Sequence, residues 1–126
     1  MIEELVGRVA TAAGIDGALA EKAVGMIFAF LKKEAPAESY GTLVATVPGV
    51  ETLAAASTGG GMMGSVMGMM GGGGVMGLGA QMMASGLSMG QIQSISREVF
   101  AFGREKAGED AMGEIVGAIP GLSQFV

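Results

Sequence analysis

A chain of 126 residues is long enough for one hydrophobic core and too short for two independent domains. Half of it is apolar, but five Phe and one Tyr are its whole aromatic supply, so the interior falls to Ala, Val, Ile, Leu and Met. Seven basic against twelve acidic residues give a net charge of −5, which excludes the cationic face nucleic acid needs, and the lack of Cys excludes disulfides and thiolate metal sites.

The chain opens on Met1-Ile2-Glu3-Glu4, acidic where a secretory leader is basic, so the expected compartment is the cytoplasm. Leu5, Val6, Val9 and Ala13 recur at helical spacing and predict a first helix over residues 2–13, stopped by Gly14 in a left-handed cap. Asp16 is a good N-cap for a second helix whose buried stripe is Ala20, Ala23, Ile27 and Phe30. Lys32 and Lys33 fall in its last turn, where cations offset the negative end of the helix dipole by a few tenths of a kcal/mol. A third helix is predicted over 38–46, with Tyr40, Leu43, Val44 and Val47 toward the core. Tyr40 reads as a core residue whose hydroxyl reaches water. Val47-Pro48-Gly49-Val50 ends this helix, and a short segment from Val50 to Ala56 is expected to tuck Leu53 back.

The same series returns at an offset of 72 residues without a gap. Gly14-Ile15-Asp16 superposes on Gly86-Leu87-Ser88, Phe28-Ala29-Phe30 on Phe100-Ala101-Phe102, and Val47-Pro48-Gly49-Val50 on Ile119-Pro120-Gly121-Leu122. A less clear first helix is then predicted over 75–85. The second starts at Ser88, with Gln91 three residues on completing a capping box, and buries Ile92, Ile95, Val99 and Phe102. Arg104 and Lys106 sit at its end. The third, over 110–118, repeats the core stripe as Met112, Ile115, Val116 and Ile119, and Phe125 takes the place expected of Leu53. The fold class read from the sequence is therefore all-α. Two tandem three-helix units related by internal duplication, residues 1–57 and 77–126, pack as one helical bundle about an approximate twofold axis, with a Gly/Met-rich connector at 58–76.

No charge occurs from Thr52 to Ser96, and within that span the connector is almost entirely Gly and Met. Runs such as Gly71-Gly72-Gly73-Gly74 lose much backbone entropy in any regular structure, so a loosely ordered connector is the first reading. Gly60, Gly64, Gly68 and Gly72 recur every four residues and are the candidate association stripe, should this stretch be helical. The absence of a strongly apolar run of about twenty residues disfavours a membrane span. Met62, Met63, Met67, Met69 and Met70 are candidate thioether ligands for a soft cation such as Cu(I), weakened by the lack of His and Cys.

Without His or Cys the usual general bases and thiol nucleophiles are missing, and no catalytic constellation stands in for them. Glu3-Glu4 and Glu109-Asp110 are adjacent carboxylates, but both pairs lie at helix starts, where acids are expected. The glycine runs lack the Gly-Lys-Ser/Thr ending of a phosphate loop. The chain is thus expected to be no enzyme and to need no cofactor. Its expected partners are a protein or another copy of itself, met through an apolar, Met-bearing surface. The alternatives are a soft-metal or apolar small-ligand binder using the Met cluster, and a membrane-associated oligomer built on the four-spaced glycines.

Gly-Ile-Asp with Ala-Glu-Lys-Ala, the Phe-Leu-Lys-Lys-Glu helix end, Val-Pro-Gly-Val-Glu-Thr-Leu, the Gly-rich centre, Gly-Leu-Ser and Ile-Pro-Gly-Leu together resemble small bacterial proteins of unknown function of the VcgC/VcgE type. The resemblance covers nearly the whole chain and rests on caps and turns. It implies a helical protein with no assigned activity, cofactor or catalytic residue. Export signals are frequent in that type, but none is expected in the acidic opening of this chain, so the compartment of that type is not carried over.

Overall fold

Glycine turns and side-chain caps divide the chain into helices close to where the sequence places them. The computed structural model describes residues 2–51, 74–119 and 121–124, and the protein is all-α. Among the described residues there are six α-helices: α1 (Ile2–Ala13), α2 (Gly17–Glu34), α3 (Ala37–Thr46), α4 (Gly74–Ala84), α5 (Met89–Ala107) and α6 (Glu109–Ala118). A 3-10 turn, Leu122–Gln124, closes the described chain. Leu53 and Phe125 lie outside the described residues, while Val50 and Leu122 themselves are buried.

Local chemistry accounts for the boundaries. Asp16 caps α2 by accepting from the Leu19 N–H at 2.8 Å. Ser88 and Gln91 form the full capping box on α5, Ser88 Oγ accepting from Gln91 N–H at 3.3 Å and Gln91 Oε1 from Ser88 N–H at 2.9 Å. Gly14 and Gly86 turn the chain at positive φ, +67° and +102°. After α4 the Leu87 N–H bonds to Met82 O and the Gly86 N–H to Met83 O, the paired bonds of a Schellman cap, with Leu87 and Met82 both buried behind them. The corner between α2 and α3 is made by Pro36, which holds Ala35 extended at ψ 157°. Gly108 makes the corresponding corner between α5 and α6 at φ +95°.

One cluster of buried side chains joins all six helices. Every residue from Ala23 to Phe28 is buried, so α2 is covered on all sides rather than along one stripe. Phe30, expected in that stripe, is only half-buried, and Leu31 takes the inward place. In α5 the expected Ile92, Ile95, Val99 and Phe102 are all buried.

The helices interlock. α1 packs most extensively on α5, and more on it than on α2, its neighbour in sequence; α4 likewise packs on α2 as well as on α5. α3 lies along α6, and α2 meets α5. Every long-range side-chain hydrogen bond among the described residues joins residues 2–51 to residues 74–119. Neither stretch therefore has a core of its own. In α1 the fully buried residues are Leu5 and Val9, whereas α4 buries Leu78 and Met82, one register step later. The cause is compositional: at an offset of 72 the counterparts of Leu5 and Val9 are Gly77 and Gln81, which have no apolar side chain to bury, so α4 presents the next position in each turn.

Candidate functional site

The candidate association residues Gly60, Gly64, Gly68 and Gly72, and the candidate metal ligands Met62, Met63, Met67, Met69 and Met70, lie outside the described residues. Within the described chain, apolar exposure concentrates at one corner. Met83 near the end of α4 is 52% exposed and Met89 at the start of α5 is 48% exposed, and these are the exposed large hydrophobic side chains among residues 2–51 and 77–119. The Schellman cap and the capping box fix the backbone on both sides of the turn between them. The corner therefore presents its two thioethers from rigid helix ends rather than from a loose loop. The sequence predicts an apolar, Met-bearing surface near the central segment, of which residues 58–73 lie outside the described ones. The signal that marks the corner is the offset itself: Met83 stands opposite Thr11 and Met89 opposite Gly17, so long apolar side chains appear in one stretch only.

No acidic or basic residue lies near the corner in sequence, because the first charge after it is Arg97. Charge joins α1 to α5. Arg8 donates to Glu98 at 3.3 Å and to Glu105 at 2.6 Å, and its guanidinium lies 5.5 Å from the centroid of the Phe102 ring. Lys106 lies at 5.5 Å from the same ring. The Glu105 carboxylate, hydrogen-bonded to Arg8, holds the guanidinium pKa above its ordinary value. At an offset of 72 the counterparts of Arg8 and Glu98 are Ala80 and Met26, so the crossing of α4 over α2 has no such pair.

Among the described residues, Ser39, Ser96 and the Tyr40 hydroxyl are the polar groups that lie inside. Ser39 is buried and donates to Glu114 Oε2 at 2.5 Å, tying α3 to α6. The Tyr40 hydroxyl, expected to reach water, is instead buried, with no hydrogen-bond partner among the described residues. Burial first, and the Glu51 carboxylate second, push its pKa up to about 12. A phenol so placed keeps its proton throughout the physiological range and offers no general base. Glu3-Glu4 and Glu109-Asp110 fall in the first turns of α1 and α6, where carboxylates favour the positive end of the helix dipole.

Among the described residues no three His, Cys, Asp or Glu side chains are grouped to hold a metal ion, and no helix is long and apolar enough to cross a membrane. Fold and corner together define an all-α protein that carries two exposed methionines on an uncharged turn. No protein-family model, no curated protein and no solved structure matches the chain.

Proposed function

We propose that this protein is a non-catalytic self-association module whose Met83–Met89 corner packs against the same corner of a second copy. The carrying observation is the half-exposure of those two side chains on an uncharged turn. A chain of net charge −5 repels its copies on average, and residues 83–89 themselves add no charge to a contact between them. A twofold contact between identical patches is the simplest closed arrangement, and Met side chains adapt their shape to such a contact.

An internal duplication belongs to the same reading. It is supported by helix starts at 2, 17 and 37 that recur at 74, 89 and 109, and by the positive-φ pairs Gly14 with Gly86 and Gly49 with Gly121. Phe28 and Phe100 are each 1% exposed, and α1 on α5 mirrors α4 on α2. In this view the molecule is a fused pair of three-helix units, and the two exposed methionines belong to the second alone. The resemblance to the VcgC/VcgE type makes the setting bacterial.

Light scattering on the eluting protein, run over a range of concentrations, tests the proposal. The native chain is expected to gain mass with concentration, and Met83→Glu/Met89→Glu to stay monomeric with unchanged helical circular dichroism. Equal assembly of the two folded proteins rules the corner out.

A further inference from the structure

We infer that Met83 and Met89 form a reversible oxidation site, at which conversion of the two thioethers to sulfoxides by a peroxide dissolves the self-association. The inference rests on the association reading above and adds its control.

Three observations lead to it. The chain has no Cys, so sulfur chemistry falls to its methionines. Met83 and Met89 are about half exposed, while Met26 is 8% exposed and Met82 and Met112 are 0% exposed, so these five methionines divide sharply by access to a dissolved oxidant. At an offset of 72 the two exposed positions hold Thr11 and Gly17, so the thioethers are not required by the helix packing that the two stretches share.

The chemistry is a two-electron oxygen transfer. A sulfur lone pair attacks one oxygen of hydrogen peroxide, the O–O bond breaks as the S–O bond forms, and the departing hydroxide takes the proton from the transferred oxygen and leaves as water. Reversal needs a dithiol reductant: two thiols become a disulfide, and the sulfoxide oxygen departs as water. The sulfoxide is a hydrated dipole in place of an apolar group. Packing it against a second copy without a hydrogen bond opposes the contact, and residues 83–89 include no basic side chain to compensate.

The test uses the full chain with hydrogen peroxide as probe, read by fragmentation mass spectrometry and light scattering together. Met83 and Met89 are expected to gain oxygen roughly tenfold faster than Met26, Met82 and Met112. The native protein is expected to lose its concentration-dependent mass on oxidation and to recover it with a methionine sulfoxide reductase and dithiol. Met83→Leu/Met89→Leu keeps the corner apolar without an oxidisable sulfur, so it is expected to stay assembled in peroxide. Oxidation at equal rates overturns the site. Dissociation of the leucine variant to the same degree overturns it too, by assigning the effect to other methionines. An assembled native chain indifferent to peroxide overturns the switch alone, whereas a native chain monomeric before any peroxide overturns the association reading and the switch with it.

Discussion

A Cβ added to Gly103 on α5 would stand 2.7 Å from both Sδ and Cε of Met112 on α6, and 3.3 Å from Leu43 Cδ1 on α3. Three helices converge there, and at an offset of 72 the pair Gly103 and Met112 is Leu31 and Tyr40. Leu31 and Tyr40 are both large, whereas Gly103 has no side chain and the tip of Met112 occupies the space that a Cβ there would need. Met112 is fully buried, so its tip has little room to yield.

Gly103→Ala is therefore expected to lower stability by about 1–2 kcal/mol, because overpacking outweighs the gain in helix propensity. Gly113→Ala, also helical but with nothing within 4 Å of its added methyl, is expected to raise stability by up to about 1 kcal/mol. Urea midpoints of the two variants should move in opposite directions.

Tyr40→Phe removes a buried hydroxyl that makes no hydrogen bond among the described residues while keeping the ring. An increase of about 1 kcal/mol in unfolding free energy is expected, since the desolvation cost vanishes and no bond is lost. A lower melting temperature would mean that the hydroxyl has a partner in solution.

The same residue sets a pH dependence. The folded phenol is pushed up to about 12 from an ordinary value of 10.0, so the unfolded chain gives up this proton first. The contribution is fully present below pH 10 and is lost as pH climbs from there through the folded value. Stability of the native protein should fall across that window, and Tyr40→Phe should fall less steeply. As the chain has a single Tyr, phenolate absorbance reports the folded titration directly.

Arg8→Ala breaks both carboxylate pairs and the contact with the Phe102 ring at the crossing of α1 and α5. Because the Arg8 side chain is 34% exposed, the expected loss is only about 1 kcal/mol. Added salt should narrow the gap to the native protein, since screening weakens the same attraction in the parent.

Ser39→Ala removes the donor to Glu114 between α3 and α6, leaving a carboxylate that can turn to water. A loss of about 1–2 kcal/mol in thermal unfolding is expected, as for a single hydrogen bond to a charged group.

The sequence by itself determined the helices and their ends. Gly14, Asp16, Gly86 and Ser88 act on the backbone within a few residues of themselves, and that chemistry needs no distant partner, so the turns and caps stand where they were read. The inward stripe of α5 was equally legible from its spacing. Only the tertiary structure decided that α1 sits mainly on α5, that α2 is covered all round, and that Phe30 is half-buried while Phe102 lies fully buried beside Arg8 and Lys106. It alone closed the Tyr40 hydroxyl off from water and left Met83 and Met89 outside. Periodicity states which side of a helix is apolar, but what covers that side depends on which helix crosses it and how large its side chains are, and those are properties of the assembled core.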